Sequence, residues 1–408
     1  MLMEDRGIVL IYTFSPFPFG EAASNRITAL AQCIQMAGYQ VIVLSNGGER
    51  EQDYEPTRKT FVFKDIEYRS YAEVGAGKIA RTLNRNNILR IIRKHITDYE
   101  QNRIKLVYAT YRNYGLWLHY VLKCILYIPA VVDVTEWHSS NQFGGGRLNP
   151  FYWIHNLRIR KLIPRAKNVI CITRYLERFY KQRGCNTILI PPQVIMENYL
   201  PHQKPPLPPV RLFYAGTAAK KDYLDVMLDG LVSLPKIERA KITFTLLGLS
   251  RSGFMEQFPR AQYYIDGLQE SLQIIGRVCK SEVDQRLSEA HFLILMRPDS
   301  RYSRAGFPSK VPEAMAAGVP VITNLTSDLG VYIKDGENGF IVDEFSASAF
   351  ADVIHKAVGM KDEDFQYMSG EALRTAAHTF DRHVHVKEMK EFLEQSLAAN
   401  NPERWTRC

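Results

Sequence analysis

The sequence has no Cys-x-x-Cys pair. Its six cysteines, Cys33, Cys124, Cys171, Cys185, Cys279 and Cys408, stand apart and form no His/Cys cluster with zinc spacing, so a structural zinc module is excluded and free cytosolic thiols are expected. No secretory leader is expected either. MLMEDRGIVLIYTF puts charges before a short apolar run, with no small-residue cleavage site behind it, and reads as a first buried strand. No run is apolar for long enough to cross a membrane. The nearest, 116–134, is broken by His119, Lys123, Pro129 and Asp133 and reads as a helix followed by a strand. There is no internal repeat and no full G-x-G-x-x-G after the first strand, so a free-standing dinucleotide fingerprint is absent as well.

What is present is ordinary globular usage, 46% hydrophobic and 23% charged, with 22 Tyr and 20 Phe. At 408 residues the chain is long enough for two domains. Its net charge of +9 is unevenly held. Residues 1–204 carry 28 Lys+Arg against 16 Asp+Glu, and residues 205–408 carry 24 against 27. The excess concentrates in 78–105 and 158–183, the second just after the aromatic run Phe151-Tyr152-Trp153-Ile154.

Apolar β-branched runs alternate with amphipathic stretches. Strands are expected at 8–12, 40–44, 106–109, 130–134, 168–172 and 187–190, with helices at 23–37, 79–99 and 114–126. The rhythm restarts with strands at 211–214, 243–247, 291–296 and 319–323 and a last helix at 384–398. Between the two series lies LPHQKPPLPPV, whose five prolines suit neither a helix nor a central strand and read as a linker. The expectation is an α/β protein of two Rossmann-like, doubly wound parallel-sheet domains facing a cleft: 1–200, a linker 201–210, 211–380, and a helix in 381–408 crossing back to the first domain.

The most informative stretch is AGFPSKVPEAMAAGVPVITN. Ser309 reads as an N-cap, Pro312 sits in the first helical turn, and Gly318 supplies a left-handed end before the next strand. A helix start flanked by Lys310 suits a phosphate, and Glu313 one turn in can accept hydrogen bonds from vicinal hydroxyls such as those of a ribose. A well-capped structural helix accounts for the same residues.

This segment resembles the signature of family 4 of the retaining glycosyltransferases, whose two Rossmann-like domains form the arrangement called GT-B. In that family two glutamates stand eight positions apart. Glu313 matches the second, which binds the nucleotide ribose, and the first falls at Ala305. The resemblance implies donor contacts at Phe307, Pro308, Ser309, Lys310, Val311 and Glu313, and at Gly216 with Lys220 and Lys221, the lysines standing in for an arginine where this chain has Thr217. It further implies backbone contacts to the base at Gly276 and Arg277, and at Gly20 to the donor phosphate. Glu136 and His138, closing VDVTEWH, match the place of a polar residue near the reacting sugar, where they would orient substrate and stabilise charge.

The resulting expectation is a retaining, metal-independent transfer of a sugar from a nucleotide diphosphate sugar to a glycan acceptor in surface polysaccharide assembly. No cofactor is expected, and no Asp-x-Asp metal motif to hold Mg²⁺ is expected. The loop 297–304 is expected to select the sugar. Aromatic and basic residues around Arg158, Arg160 and Lys161 suit an anionic membrane surface, hence a cytoplasmic, peripheral enzyme with a lipid-linked acceptor. No nucleic-acid module is evident. The rivals are an impaired GT-B scaffold that binds partner enzymes and a nucleotide-sugar 2-epimerase.

Overall fold

The computed structural model describes residues 6–18, 22–45, 61–70, 104–199, 203–216 and 222–399. The chain divides into two compact units, one of Met1–Gln193 with Arg382–Cys408, the other of Val194–Asp381.

In the first unit β1 (Ile8–Tyr12), β2 (Gln40–Ser45), β3 (Phe61–Phe63), β4 (Ile66–Ser70), β5 (Ile104–Thr110), β6 (Ala130–Val134), β7 (Asn168–Cys171) and β8 (Asn186–Leu189) form one sheet in the order β3-β4-β2-β1-β5-β6-β7-β8. All pairings are parallel except β3–β4. Every residue of β1 and β6 is buried, as strands covered on both faces require, which is why the sequence reads there as unbroken apolar runs. The β3–β4 hairpin was not expected. Its three-residue first strand is too short to show a period, and its turn uses Lys64 and Asp65 at positive φ where glycine or asparagine is the usual signal.

The helix Ala22–Met36 ends as its sequence suggests. Gly38 takes φ +98°, Tyr39 N–H donates to Ile34 and Gly38 N–H to Gln35, the paired bonds of a Schellman end. The 114–126 stretch is a helix Leu116–Tyr120 that loosens into a π-helical turn to Leu126. Because β5, β6 and β7 are adjacent and parallel, right-handed crossovers put this helix and Pro150–Leu157 on one face of the sheet. The last helix, Val386–Ala398, sends Met389, Phe392 and Leu393 into the core that holds Val9, Ile11, Leu30 and Val43.

The second unit is a six-stranded parallel sheet in the order β11-β10-β9-β12-β13-β14, from β9 (Val210–Ala215), β10 (Ile242–Leu247), β11 (Leu272–Ile275), β12 (Phe292–Leu295), β13 (Val321–Thr323) and β14 (Gly339–Ile341). The strand β11 lay outside the expected set. The Pro-rich segment, expected as a linker, is held to this unit. Lys204 Nζ donates to the carbonyls of Ser288 and Ala317 at 2.7 and 2.9 Å, and Leu207 N–H donates to Asp362. The strand order reverses between β1 and β5 in one unit and between β9 and β12 in the other, so each sheet has a switch point at its carboxyl edge.

Candidate functional site

At the carboxyl edge of the second unit, three strand ends meet with almost no side chains. Gly216 follows β9, Gly248 follows β10 and Gly276 follows β11. Gly248 has φ +105°, its N–H donates to the carbonyls of Ile275 and Gly276, and a Cβ there would stand 2.4 Å from the Gly216 carbonyl oxygen. Any side chain would therefore push these turns apart. Over this floor comes Lys310. Its Nζ lies 5.5 Å from the Tyr214 ring centroid, and a Cβ on Gly216 would be 3.0 Å from it. The structure thus brings together Gly216 and Lys310, two of the expected donor residues.

Glu313 sits one turn further along the helix Lys310–Ala316, partly exposed. Burial, and then the charge of Glu313, push the Tyr199 hydroxyl well above its ordinary range. The helix ends like the first unit's, with Gly318 at φ +65° and Val319 N–H donating to Ala314.

Several expectations for this segment change. Ser309 does not cap the helix, because its backbone is already helical at φ −59° and its side chain accepts no capping bond. The helix is only seven residues long, so the Lys310 side chain, more than an axial dipole, supplies positive charge. Phe307 packs between Tyr332 and Phe380, and Pro308 and Val311 are buried, so these three can offer only backbone. Ala305 is wholly buried. Gly276 is partly exposed and Arg277 exposed. Gly20, Lys220, Lys221 and the basic helix expected at 79–99 lie outside the described residues.

Sequence reasoning missed the group behind Lys310. Asp222 is buried, accepts from the Tyr214 hydroxyl at 2.8 Å and from Arg297 Nε at 2.7 Å. Asn324 clamps the Arg297 backbone from both sides, accepting from its N–H and donating to its carbonyl. Arg297 was expected only as part of a loop. Its neighbours come from β9, the turn after it and the end of β13, which no local pattern connects.

The first unit builds a different edge, made of side chains. Glu136 and His138 approach to 3.1 Å between Oε2 and Nε2, and the Tyr111 hydroxyl donates to Glu136 at 3.1 Å and stands 3.4 Å from His138. Arg112 Nε donates to the Tyr111 oxygen, and His155 Nε2 accepts from the His138 N–H. Burial and the Glu136 charge keep the Tyr111 hydroxyl protonated. Tyr111, Arg112 and His155 were not anticipated, though Tyr111 directly follows an expected strand.

Arg158 is half-buried toward Tyr111 and Arg112, and desolvation followed by Arg112 pulls its guanidinium below the usual range. Arg160 lies over the Trp137 ring at 5.0 Å, and Lys161 is exposed. Arg26, by contrast, is structural. It forms a two-pronged pair with buried Asp133 at 2.7 and 2.8 Å.

Among the described residues no group of three His, Cys, Asp or Glu side chains could hold a metal ion. The chain does contain one Asp-x-Asp, Asp362-Glu363-Asp364, but it is the first turn of the helix Asp362–Thr379, and Asp362 accepts from the Leu207 N–H.

Known proteins align with these units. Residues 23–195 match the family model described as Glycosyltransferase Family 4 and residues 197–373 the one described as Glycosyl transferases group 1. The amylovoran biosynthesis glycosyltransferase AmsK of Erwinia amylovora is 22% identical over 188 residues, 46% of this chain and 45% of that one. The putative colanic acid biosynthesis glycosyltransferase WcaL of Escherichia coli (strain K12) is 23% identical over 192 residues, 47% and 46%. The chain thus spans about half the length of the curated relatives it matches. Among solved structures, Anabaena HepE in complex with UDP and glucose resembles it in fold, with TM-score 0.67 at 14% identity over 96% of this chain and 100% of that one. Two parallel-sheet units, each matched by its own glycosyltransferase model, identify the chain as a member of the family 4 glycosyltransferases of GT-B fold.

Proposed function

We propose that this protein moves a sugar, with retention and without a metal, from a nucleotide diphosphate sugar to a glycan acceptor in surface polysaccharide assembly. The observation that carries the reading is the Lys310 ammonium held above Tyr214 and against Gly216, where close-packed glycines keep side chains off the strand ends. Phosphate oxygens of the donor would lie here, between Lys310 and Arg297, with Lys220 and Lys221 adding charge. Glu313 accepts from the ribose hydroxyls. Charge builds on the diphosphate as it departs, so cations fixed in advance favour the transition state over the ground state. HepE was solved with UDP and glucose, which supports a nucleotide-sugar donor of this kind, and the relatives named for amylovoran and colanic acid support a polysaccharide product.

Glu136 and His138 in the first unit would orient the acceptor and stabilise the developing oxocarbenium charge, with Tyr111 fixing both. The acceptor is lipid-linked in this reading, and the enzyme peripheral on the cytoplasmic face of a membrane. No helix among the described residues is long and apolar enough to cross one. Half of the exposed large hydrophobic side chains among them, however, fall within 116–157, including Trp117, Tyr120, Phe151, Trp153 and Leu157. A patch that concentrated marks a surface that binds something apolar. In this reading exposed Arg160 and Lys161 add positive charge to that surface.

A screen of nucleotide sugars for thermal stabilisation tests the donor. One sugar nucleotide should raise the melting point in the presence of chelator, and transfer from it should give a product with the donor's anomeric configuration. No stabilisation by any of them would overturn the site and favour the scaffold reading, for which the buried Ala305 in place of a glutamate is the motive.

A further inference from the structure

At the amino edge of the first sheet, the end away from Glu136 and His138, the starts of β6, β7 and β8 at Ala130, Asn168 and Asn186 border a cavity of about 390 Å³. The five residues of β6 separate it from the carboxyl edge by roughly 16 Å, so it is not part of the transfer site. Lys123, Arg165 and Lys167 line it, and among the described residues no carboxylate does. Among the described residues neither Arg165 nor Lys167 has a carboxylate partner.

The positive charge registers on a neighbour. His119, also in the lining and bound through Nδ1 to the Tyr114 hydroxyl at 2.6 Å, is held below its ordinary range by burial and then by Lys123 and Arg165. The rest of the wall is mostly apolar, from Leu122, Ile128 and Pro129. Exposed Ile125 and Tyr127 continue that apolar surface outward. Arg165 and Lys167, without a carboxylate partner among the described residues, over an apolar bed match a molecule with an anionic head and an aliphatic stem. The volume exceeds what a bare phosphate fills and falls in the range of pockets for small organic ligands.

We propose that this cavity is a headgroup site for an anionic phospholipid, its phosphate meeting Arg165 and Lys167 and its glycerol and first methylenes lying on Leu122, Ile128 and Pro129. The proposal rests on the membrane reading above and gives it a second, stoichiometric element. The aromatics of 116–157 supply adhesion, and the cavity supplies recognition of the head.

The experiment uses the full chain with dihexanoyl-phosphatidylglycerol below its micelle concentration, dihexanoyl-phosphatidylcholine, and inorganic phosphate, read by calorimetry, alongside sedimentation with phosphatidylglycerol vesicles. Expected is saturable one-to-one binding of the soluble phosphatidylglycerol, at least tenfold tighter than either the choline lipid or phosphate. The double variant Arg165→Ala, Lys167→Ala should lose that binding at least tenfold with an unchanged melting point, whereas Lys167→Arg should keep it. Trp117→Ser, Trp153→Ser should keep it too, while losing vesicle binding. Phosphate binding as tightly as the lipid would overturn a lipid source. No saturable lipid binding, equal binding of the choline lipid, or indifference to the double variant would overturn the site. If the wild type sediments with vesicles yet ignores the soluble lipid, the cavity alone fails. If it binds the soluble lipid yet no vesicles, the membrane reading alone fails.

Discussion

Each unit buries one aspartate that accepts from one tyrosine and one arginine. In the first unit Asp133 takes Tyr108 at 2.7 Å and both Nε and Nη2 of Arg26, whose remaining nitrogen donates to the carbonyls of Ile190 and Pro191. The guanidinium is thereby closed off, and it ties the first helix to the middle of the sheet and to the chain beyond β8. In the second unit Asp222 takes Tyr214 at 2.8 Å but only the Nε of Arg297. Among the described residues no further side-chain bond involves Arg297, which leaves its two terminal nitrogens outside the pair with Asp222. Among the described residues, the same three residue types make a staple in which every guanidinium nitrogen is bonded in one unit and a trio in which only one is bonded in the other.

The comparison can be broken most forcefully at the staple. Arg26→Met should cost about 3–5 kcal/mol of stability by stranding a buried carboxylate, measured by urea unfolding, without altering donor affinity in the molecules that remain folded. A loss below about 1 kcal/mol would mean that Asp133 finds other partners. Next, Lys310→Ala should lower transfer on the order of a thousandfold while the melting point holds, a transition-state loss of about 4 kcal/mol; wild-type turnover would remove Lys310 from the site. Arg297→Lys sharpens the contrast further. A lysine cannot bond Asp222 and a phosphate in the fork geometry of arginine, so kcat/KM should fall about thirtyfold with little change in stability. Were stability to fall instead, the second trio would be a staple like the first.

The smallest effect is electrostatic and tests how firmly the Pro-rich segment belongs to the second unit. Burial lowers the Lys204 ammonium to about 7. Between that value and the ordinary lysine range the unfolded chain holds more protons than the folded one, so stability rises with pH from about 7 to about 10, by at most about 1.4 kcal/mol per pH unit. Lys204→Met should flatten that rise in a pH series of unfolding curves. An unchanged slope would show that Lys204 is charged and solvated.

The strands around both cores were legible because a parallel sheet covered on both faces needs uninterrupted apolar runs. Ile8–Tyr12 and Ala130–Val134 coincide with the expected spans to the residue. The glycine that ends each helix was legible too, since Gly38 and Gly318 both take the left-handed backbone that other residues avoid. Of the site, Lys310 and Glu313 stood out through a local motif, while Asp222, Arg297 and Tyr111 did not. Each gains its meaning from partners in other strands. Half-buried Arg158 makes the same point: a run of basic residues looks alike until the helix turns one member toward its neighbours.

The sequence by itself determined two parallel α/β units, the glycine ends of two helices and the motif at 305–324, because burial and backbone conformation are fixed by neighbours a few positions away. Only the tertiary structure decided which charges are satisfied. Whether an arginine staples, binds or faces outward depends on the carboxylates and carbonyls that distant strands bring within about 3 Å, the range over which a hydrogen bond forms.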